Sequence, residues 1–413
     1  MENTAIQAQL SQASFSDSLA KKVLVKALQH LEQGYLTIID NQKISSFGHE
    51  ASQLHGTIVV NHPSFYRQVM LSGSIGAGEA YIQGHWSSPD LTKVVQIFAR
   101  NLGLLDSIER YFSWASRSIN RIKHIFNRNS QAGSKRNILA HYDLGNDMYQ
   151  QFLDPEMLYS SAIYPSQDAS LSEAQLHKLH TICERLDLKP GQTLLEVGTG
   201  WGALAIYAAS HYGVHVTTTT ISDAQHEYAQ DRIKQLGLEG QVKLLKQDYR
   251  LLTGQYDRVV SIEMIEAVGH EYLAGFFKKL NQLLKPDGRM LLQAITIADQ
   301  RYDSYRSSVD FIQRYIFPGG CLPSISEMTK HVSKSTDMVV SEIDDIGQDY
   351  AKTLWHWQQN FEAAHEQVSA LGYGEDFMRM WQFYLCYCEG GFLERTTSAV
   401  HLVANKPQYR QAI

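Results

Sequence analysis

The chain has 413 residues and a formal net charge of −6, with 44% hydrophobic and 19% charged residues. This length exceeds what one small core supports, so two domains are expected, and the composition is ordinary for a globular protein. The acidic balance argues against general nucleic-acid binding. The four cysteines form no C-x-x-C pair and no histidine cluster has metal spacing, which argues against a metal site and favours free thiols in a reducing cytosol.

The early part of the chain predicts a small α+β domain over residues 1–106. Apolar residues recur at helical spacing up to about residue 30, and residues 35–40 and 54–60 have the pattern of strands. A short helix is expected at 91–100. Its expected role is to present substrate, and a purely structural cap is the alternative. Neither a signal peptide nor an apolar run of about 18 residues is found, so no membrane-spanning segment is expected.

A basic segment follows at residues 107–136. Between Arg110 and Asn137 there is no Asp or Glu, seven residues are basic, and apolar side chains recur three or four residues apart. A basic amphipathic helix with aromatic residues is typical of a surface that lies on anionic lipid. The alternative is a linker helix whose apolar face packs on the next domain, which is predicted to cover residues 137–413.

A glycine-rich stretch organises this second domain. An apolar run ends at Glu196, is followed by Gly198, Gly200 and Gly202, and continues into an apolar helix. Glycines allow positive φ and the close approach of a ligand, and the N-terminus of the helix offers free N–H groups. The G-x-G-x-G spacing differs from that of most dinucleotide sites and resembles motif I of S-adenosylmethionine-dependent methyltransferases.

Strand and helix patterns alternate after this motif. They predict an α/β fold with a doubly wound, mostly parallel, seven-stranded methyltransferase sheet, whose final strand inserts antiparallel. The ligand is expected at the carboxyl ends of the strands. The strands predicted after motif I are residues 215–220, 242–247, 256–262, 289–296, 338–346 and 398–405.

The ends of two predicted strands indicate which cofactor is bound. The second strand ends without the acid that a dinucleotide fold uses for the ribose, which disfavours a nicotinamide oxidoreductase. Thr220, Ser222 and Gln225 can supply polar contacts instead. Asp248 and Tyr249 follow the third strand, where a carboxylate can accept from an adenine amino group and a ring can stack. For each of them the alternative is a solvated polar residue at a strand end.

Several motifs in order resemble the cyclopropane-fatty-acyl-phospholipid synthase family, and the resemblance covers nearly all of residues 30–405. They are residues 142–147, 153–155, 157–160, 196–202, 220–222 with Gln225, 264–269 and, in the first domain, 78–81 with Gly84 and Trp86. The resemblance implies S-adenosylmethionine as cofactor, with Tyr159 and Ser160 among its contacts, and a first domain that binds lipid.

The resemblance also implies a reaction. Family members transfer the sulfonium methyl to a cis double bond of a phospholipid acyl chain, a base removes a proton from that methyl, and a cyclopropane ring closes. This chemistry requires aromatic faces for a cation and one base beside the new methyl. It implies a cytoplasmic enzyme associated with the inner face of a membrane. Methyl- or methylene-branched products and a degenerate lipid-binding protein remain alternatives, and a homodimer remains open.

The base in the family is a bound bicarbonate ion, and its ligand positions carry over to this chain. They are Ser161, Glu266, Gln293, Ile295 through its backbone, and Tyr350. The family commonly has Cys at the first position and His at the third. Ser and Gln can still hydrogen-bond an oxyanion, but Gln cannot take up a proton.

Two further catalytic candidates carry alternatives. Glu266 follows the fourth predicted strand in an apolar setting, where a raised pKa would let it hold the anion's proton or act as the base itself. The alternative is an acid at a helix start. Glu266→Gln is therefore predicted to lose most turnover and to keep cofactor affinity. Cys388 matches a cysteine considered active in the family, although alkene alkylation needs no thiol nucleophile and a buried helix cysteine is the alternative.

Overall fold

The structure, a computed structural model, describes residues 14–103 and 145–410. The chain divides into two compact units. The first combines the N-terminal region with residues 308–314 and 372–394, and the second holds the rest of the described chain after residue 145. The two late segments were predicted to lie in the catalytic domain, so one boundary along the sequence does not separate the units. The predicted basic segment and residues 142–144 lie outside the described residues.

The described strands and helices are numbered in chain order. The strands are β1 Tyr35–Asp40, β2 Lys43–Gly48, β3 His55–Val60, β4 Trp86–Ser87, β5 Thr193–Val197, β6 His215–Thr220, β7 Val242–Lys246, β8 Tyr256–Ile262, β9 Leu284–Ile297, β10 Val339–Asp345 and β11 Thr397–Asn405. The helices are α1 Phe15–Leu28, α2 Ser64–Ile82, α3 Leu91–Arg100, α4 Asn146–Tyr149, α5 Leu171–Arg185, α6 Ala203–Tyr212, α7 Asp223–Gln235, α8 Leu273–Leu283, α9 Tyr302–Tyr305, α10 Phe311–Tyr315, α11 Ile325–Ser335, α12 Gly347–Ala363, α13 His365–Ala370 and α14 Glu375–Leu393.

The first unit contains a four-stranded sheet in the order β2-β1-β3-β4. β1 pairs parallel with β3 and antiparallel with β2. β2 was not predicted, because most of its side chains are polar or exposed and only Phe47 is buried. α14 belongs to this unit, where Glu389 accepts a hydrogen bond from Thr92 Oγ1 at 2.7 Å and Arg379 donates to the carbonyl oxygens of Tyr81 and Trp86.

The second unit is built on a seven-stranded sheet in the order β10-β11-β9-β8-β5-β6-β7. β5 to β9 pair in parallel, and β11 is antiparallel to both β9 and β10. The predicted methyltransferase fold is therefore confirmed. Successive residues of β5 face opposite ways, so Leu194 packs in the core on one face and Leu195 in the core on the other. No helix among the described residues has the length and apolar content needed to cross a bilayer.

Candidate active site

The glycine loop, residues 198–202, connects β5 to α6. Gly198, Gly200 and Gly202 have φ of +104°, +53° and +94°. The N–H groups of Gly198 and Thr199 donate to Thr219 O at 3.1 and 3.0 Å, which fixes the loop against β6. A Cβ added at Gly202 would lie 3.2 Å from Ala229 Cβ, whereas one added at Gly200 would meet no protein atom within 4 Å. Gly200 therefore borders open space that a ligand can fill.

Glu196 supports this loop from β5. Its carboxylate accepts from Thr218 Oγ1 at 2.5 Å, and Thr218 Oγ1 is 2.7 Å from Thr199 Oγ1. Burial raises the pKa of Glu196 to about 8. The carboxyl group therefore links β5, β6 and the loop, and its contacts in the structure are with the protein itself.

The predicted polar residues at the end of β6 and just after it form one hydrogen-bonded group. Thr220 Oγ1 donates to Gln225 Oε1 at 2.9 Å, and Ser222 begins α7 by accepting from Gln225 N at 3.3 Å. All three residues are buried at the carboxyl end of β6, next to the glycine loop. These residues therefore lie at the edge of the sheet where the cofactor is predicted to bind.

Asp248 and Tyr249 lie after β7, where Arg250 contacts both. The Asp248 carboxylate accepts from Arg250 Nε and Nη2 at 2.8 and 2.6 Å. Burial by itself would raise the pKa of Asp248, but these bonds hold that pKa below its ordinary value. The Tyr249 ring packs edge-on against Phe276 with centroids 5.5 Å apart. Asp248 remains a charged acceptor, and Arg250 is a partner that the sequence did not reveal.

Tyr159 lies in an aromatic cluster formed with Tyr149, Phe152 and Trp357. Its ring centroid is 5.1 Å from that of Tyr149 and 5.2 Å from that of Trp357. Trp201 of the glycine loop is 5.2 Å from Tyr149, so the cluster extends to the predicted cofactor site. Ring faces of this kind can stabilise a nearby positive charge.

Ser160 contacts a lysine that the sequence did not indicate. Lys178 is fully buried on α5, and its Nζ donates to Ser160 Oγ at 2.7 Å. Burial lowers the pKa of Lys178 to about 8, against the opposing effect of Glu263 and Asp154. Lysines on helices usually face solvent, so the residue type gave no sign that Lys178 is buried. The only available signal was its position on the packed face of α5.

The carboxylate cluster consists of Ser161, Glu263, Glu266, Gln293 and Tyr350. Three of the residues predicted to hold an anion converge on the carboxylate of Glu263, which the sequence did not single out. Ser161 N and Gln293 Nε2 donate to Glu263 Oε1 at 2.9 and 2.7 Å. Tyr350 OH donates to Glu263 Oε2 at 2.8 Å. The Ser161 hydroxyl does not point to an anion as expected, because it donates to Ala162 O at 2.9 Å.

Glu266 lies beside this group and has a different set of contacts. Ile295 N, which was predicted to contact a bound bicarbonate, donates instead to Glu266 Oε1 at 2.5 Å. Glu266 Oε2 is buried and has no hydrogen-bond partner in the described part of the chain. Burial and the charge of Glu263 raise the pKa of Glu266 to about 8.

A chain of hydrogen-bonded side chains orients Gln293. Arg185 Nη1 is 2.8 Å from His401 Nδ1, and His401 Nε2 is 2.9 Å from Gln293 Oε1. A guanidinium can only donate, so Nδ1 accepts, Nε2 carries the hydrogen, and Gln293 turns its NH₂ group towards Glu263. Burial and the positive charges of Arg185 and Lys178 lower the pKa of His401 to about 3, so the ring is neutral.

Cys388 and the other catalytic candidates are assigned to different units. It is on α14 in the first unit, whereas Glu266, Gln293 and Tyr350 belong to the second. Burial and the nearby Asp310 and Cys386 raise the pKa of its thiol. A raised pKa disfavours the thiolate, so the structure supports the interpretation as a helix cysteine.

The sheet with its antiparallel β11, the glycine loop and the polar strand ends define an S-adenosylmethionine-dependent methyltransferase. The mycolic acid cyclopropane synthetase family model matches residues 129–402, and the chain belongs to this family. The cyclopropane-fatty-acyl-phospholipid synthase of Escherichia coli strain K12 is 39% identical over 341 residues, which cover 82% of this chain and 85% of the relative. These findings confirm the resemblance.

Two other relatives differ in the product their names state. The tuberculostearic acid methyltransferase of Mycobacterium tuberculosis is 36% identical over 333 residues, covering 79% of this chain and 77% of the relative. The solved mycolic acid cyclopropane synthase CmaA1, complexed with SAH and CTAB, is 32% identical with a TM-score of 0.61, covering 66% of this chain and 98% of the other. The comparisons therefore support S-adenosylmethionine as cofactor.

Proposed function

We propose that this enzyme methylates a cis double bond in a phospholipid acyl chain and closes a cyclopropane ring. The observation that carries the proposal is the link between the aromatic cluster and the carboxylate cluster through one residue. Tyr350 has its ring centroid 6.0 Å from Trp357 and its hydroxyl on Glu263. Aromatic faces for a cation and a carboxylate for its proton are therefore neighbours, as this reaction requires.

The residues at the carboxyl ends of β5, β6 and β7 would hold S-adenosylmethionine. The open space at Gly200 and the charged acceptor of Asp248 fit a nucleoside with an exocyclic amino group. When bound, this cofactor supplies an electrophilic methyl group. The proposed contacts are Tyr159, Ser160, Gly198, Gly200, Gly202, Thr220, Ser222, Gln225, Asp248 and Tyr249, with Glu196 supporting the loop.

We infer that the base lies in the carboxylate cluster. The sequence predicted bound bicarbonate or Glu266. The donors of Ser161, Gln293 and Tyr350 already contact a carboxylate of the chain, so a separate bicarbonate ion does not fit this donor set, and no step is assigned to it.

We place the substrate at a membrane surface. The first unit would bind the lipid, and the basic segment at 107–136 would attract anionic headgroups on the inner face of the membrane. Basic residues near such a surface each contribute about 1 kcal/mol, screened by salt. Sedimentation with anionic vesicles should therefore weaken as salt rises and when Arg117, Arg121 and Lys123 are changed together to Gln. Binding that is insensitive to both changes would leave this segment as a linker.

A fatty-acyl C-methyltransferase that makes branched chains is the second candidate, because the Mycobacterium tuberculosis relative carries a name of that kind. Mass spectrometry of phospholipids from cells with and without the expressed gene tests both. A ring or a methylene branch adds about 14 mass units per chain, and a saturated methyl branch adds about 16. Ozone cleaves a methylene branch and leaves a cyclopropane intact. Unchanged lipids would contradict the proposal.

A further inference from the structure

We propose that Glu263 is the base of this enzyme, so that the chain itself supplies the carboxylate that takes the proton and no bound anion is needed. This inference rests on the proposed function. It assigns a further catalytic residue to the site, and it predicts an enzyme whose turnover is independent of bicarbonate.

The backbone of Glu263 has a conformation that is strained for residues other than glycine. Glu263 directly follows β8 and has φ of +48°. Its N–H donates to Gln293 O at 2.8 Å, and the neighbouring Ile262 is paired with Gln293 in the β8–β9 register. Strained backbone of this kind persists where the surrounding structure holds it, and it concentrates at functional sites.

Three donors from separate parts of the chain hold the Glu263 carboxylate. Ser161 lies in the loop before α5, Gln293 on β9 and Tyr350 on α12, and each donates one hydrogen bond of 2.7 to 2.9 Å. Gln293 is itself oriented by His401, as described above. These donors would serve a bound oxyanion equally well, and here they serve a carboxylate that is covalently part of the chain.

The contacts of Glu263 and Glu266 give the two carboxyl groups different roles. Burial raises the pKa of both glutamates, but at Glu263 the three donors and Lys178 oppose the rise. At Glu266 only backbone N–H groups oppose it, and the charge of Glu263 adds to it. Three donated hydrogen bonds favour the charged form of Glu263, whereas Glu266 Oε2 has no hydrogen-bond partner in the described part of the chain. This geometry assigns the negative charge to Glu263 and the proton to Glu266, the arrangement expected when two neighbouring acids divide one charge.

The proposed step balances without another reactant. After methylation the acyl chain carries a carbocation beside the new methyl group. One C–H bond of that methyl breaks, its proton passes to the Glu263 carboxylate, and its electron pair forms the carbon–carbon bond that closes the ring. Glu263 then returns the proton to water when the product leaves.

The first test compares Glu263→Gln with the wild-type enzyme in buffer freed of carbon dioxide. Wild type should keep full turnover. Glu263→Gln should lose about 10²- to 10⁴-fold in turnover, the usual contribution of a general base, and keep S-adenosylmethionine affinity by calorimetry. Glu239→Gln, which removes an exposed carboxylate of the same unit, is the control for the charge change.

The second test uses Glu263→Gly, which suits the positive φ and leaves the three donors without their acceptor. Its turnover should be low without bicarbonate and recover when bicarbonate is added. Bicarbonate should also raise the melting temperature of this variant and not that of wild type, a readout that needs no lipid. Arg395→Gly is the matched control, because Arg395 is exposed and has a similar φ of +52°.

The results separate this inference from the proposed function. A wild-type enzyme that needs bicarbonate, or a Glu263→Gln variant with normal turnover, would overturn the role of Glu263. Equal stabilisation of wild type and Glu263→Gly by bicarbonate would do the same. If wild type modifies no unsaturated phospholipid, the proposed function fails, and the stabilisation experiment still decides whether the carboxylate takes the place of an anion.

Discussion

The glycine loop and the carboxylate cluster lie in the same unit, but they are built in opposite ways. The loop is one continuous segment that works through its backbone and leaves open space beside Gly200. The cluster gathers side chains that are far apart in the sequence, and its donors already have an acceptor in Glu263. In this site, the open space beside Gly200 fits a group that arrives from solution, whereas the satisfied donors fit a group that the chain provides.

Apart from the Glu263 variants, the largest effect is expected at the loop. In Gly200→Val the added side chain would occupy the space proposed for the cofactor and oppose the positive φ. Overpacking costs about 1 to 3 kcal/mol, so S-adenosylmethionine affinity should fall by about 5- to 150-fold in calorimetry. Gly237→Val is the control, because Gly237 has φ of +65° and equally open surroundings. Equal affinity in Gly200→Val and wild type would remove this loop from the cofactor site.

A smaller effect is expected at Tyr350 in the carboxylate cluster. Tyr350→Phe removes one of the three donors to Glu263. A hydrogen bond to a charged group contributes about 1.5 to 3 kcal/mol, so turnover should fall by about tenfold or more with cofactor affinity unchanged. Tyr212→Phe is a matched control, since Tyr212 OH also donates to a glutamate, Glu184, at 2.8 Å. Normal turnover in Tyr350→Phe would show that this bond does not support the base.

The smallest effect is expected at Glu266, contrary to the expectation from sequence. Its pKa of about 8 keeps it protonated at neutral pH, and Gln is also neutral and can accept from Ile295 N. With Glu263 as the base, Glu266→Gln should keep turnover within about tenfold of wild type at pH 7. A loss of 10²-fold or more would return the role of base to Glu266.

The dependence of turnover on pH distinguishes Glu266 from Glu263 as the base. An acid with a raised pKa gains its negative charge only as the pH rises through that value. If Glu266 were the base, wild-type turnover would rise through about pH 8, where its carboxylate forms. With Glu263 as the base, its three donors favour the charge without ionisation of Glu266, so turnover should not require a rise near pH 8.

The sequence by itself determined the class of enzyme and most of the second unit. The strands β6 and β8 were predicted with the bounds observed, because alternating strands and helices leave strong local periodicity. The glycine loop was also predictable, since its function depends on glycines at alternate positions of one short segment. In the first unit, β2 was missed because a largely exposed, polar strand carries little hydrophobic pattern.

Only the tertiary structure decided how the catalytic groups combine. Glu263 looks like any acid after a strand until Ser161, Gln293 and Tyr350 are seen to meet on it. The grouping of α14 with the first unit likewise depends on contacts that join residues nearly 300 positions apart. Local sequence records backbone conformation and burial, but which side chains share a hydrogen bond depends on how distant segments pack.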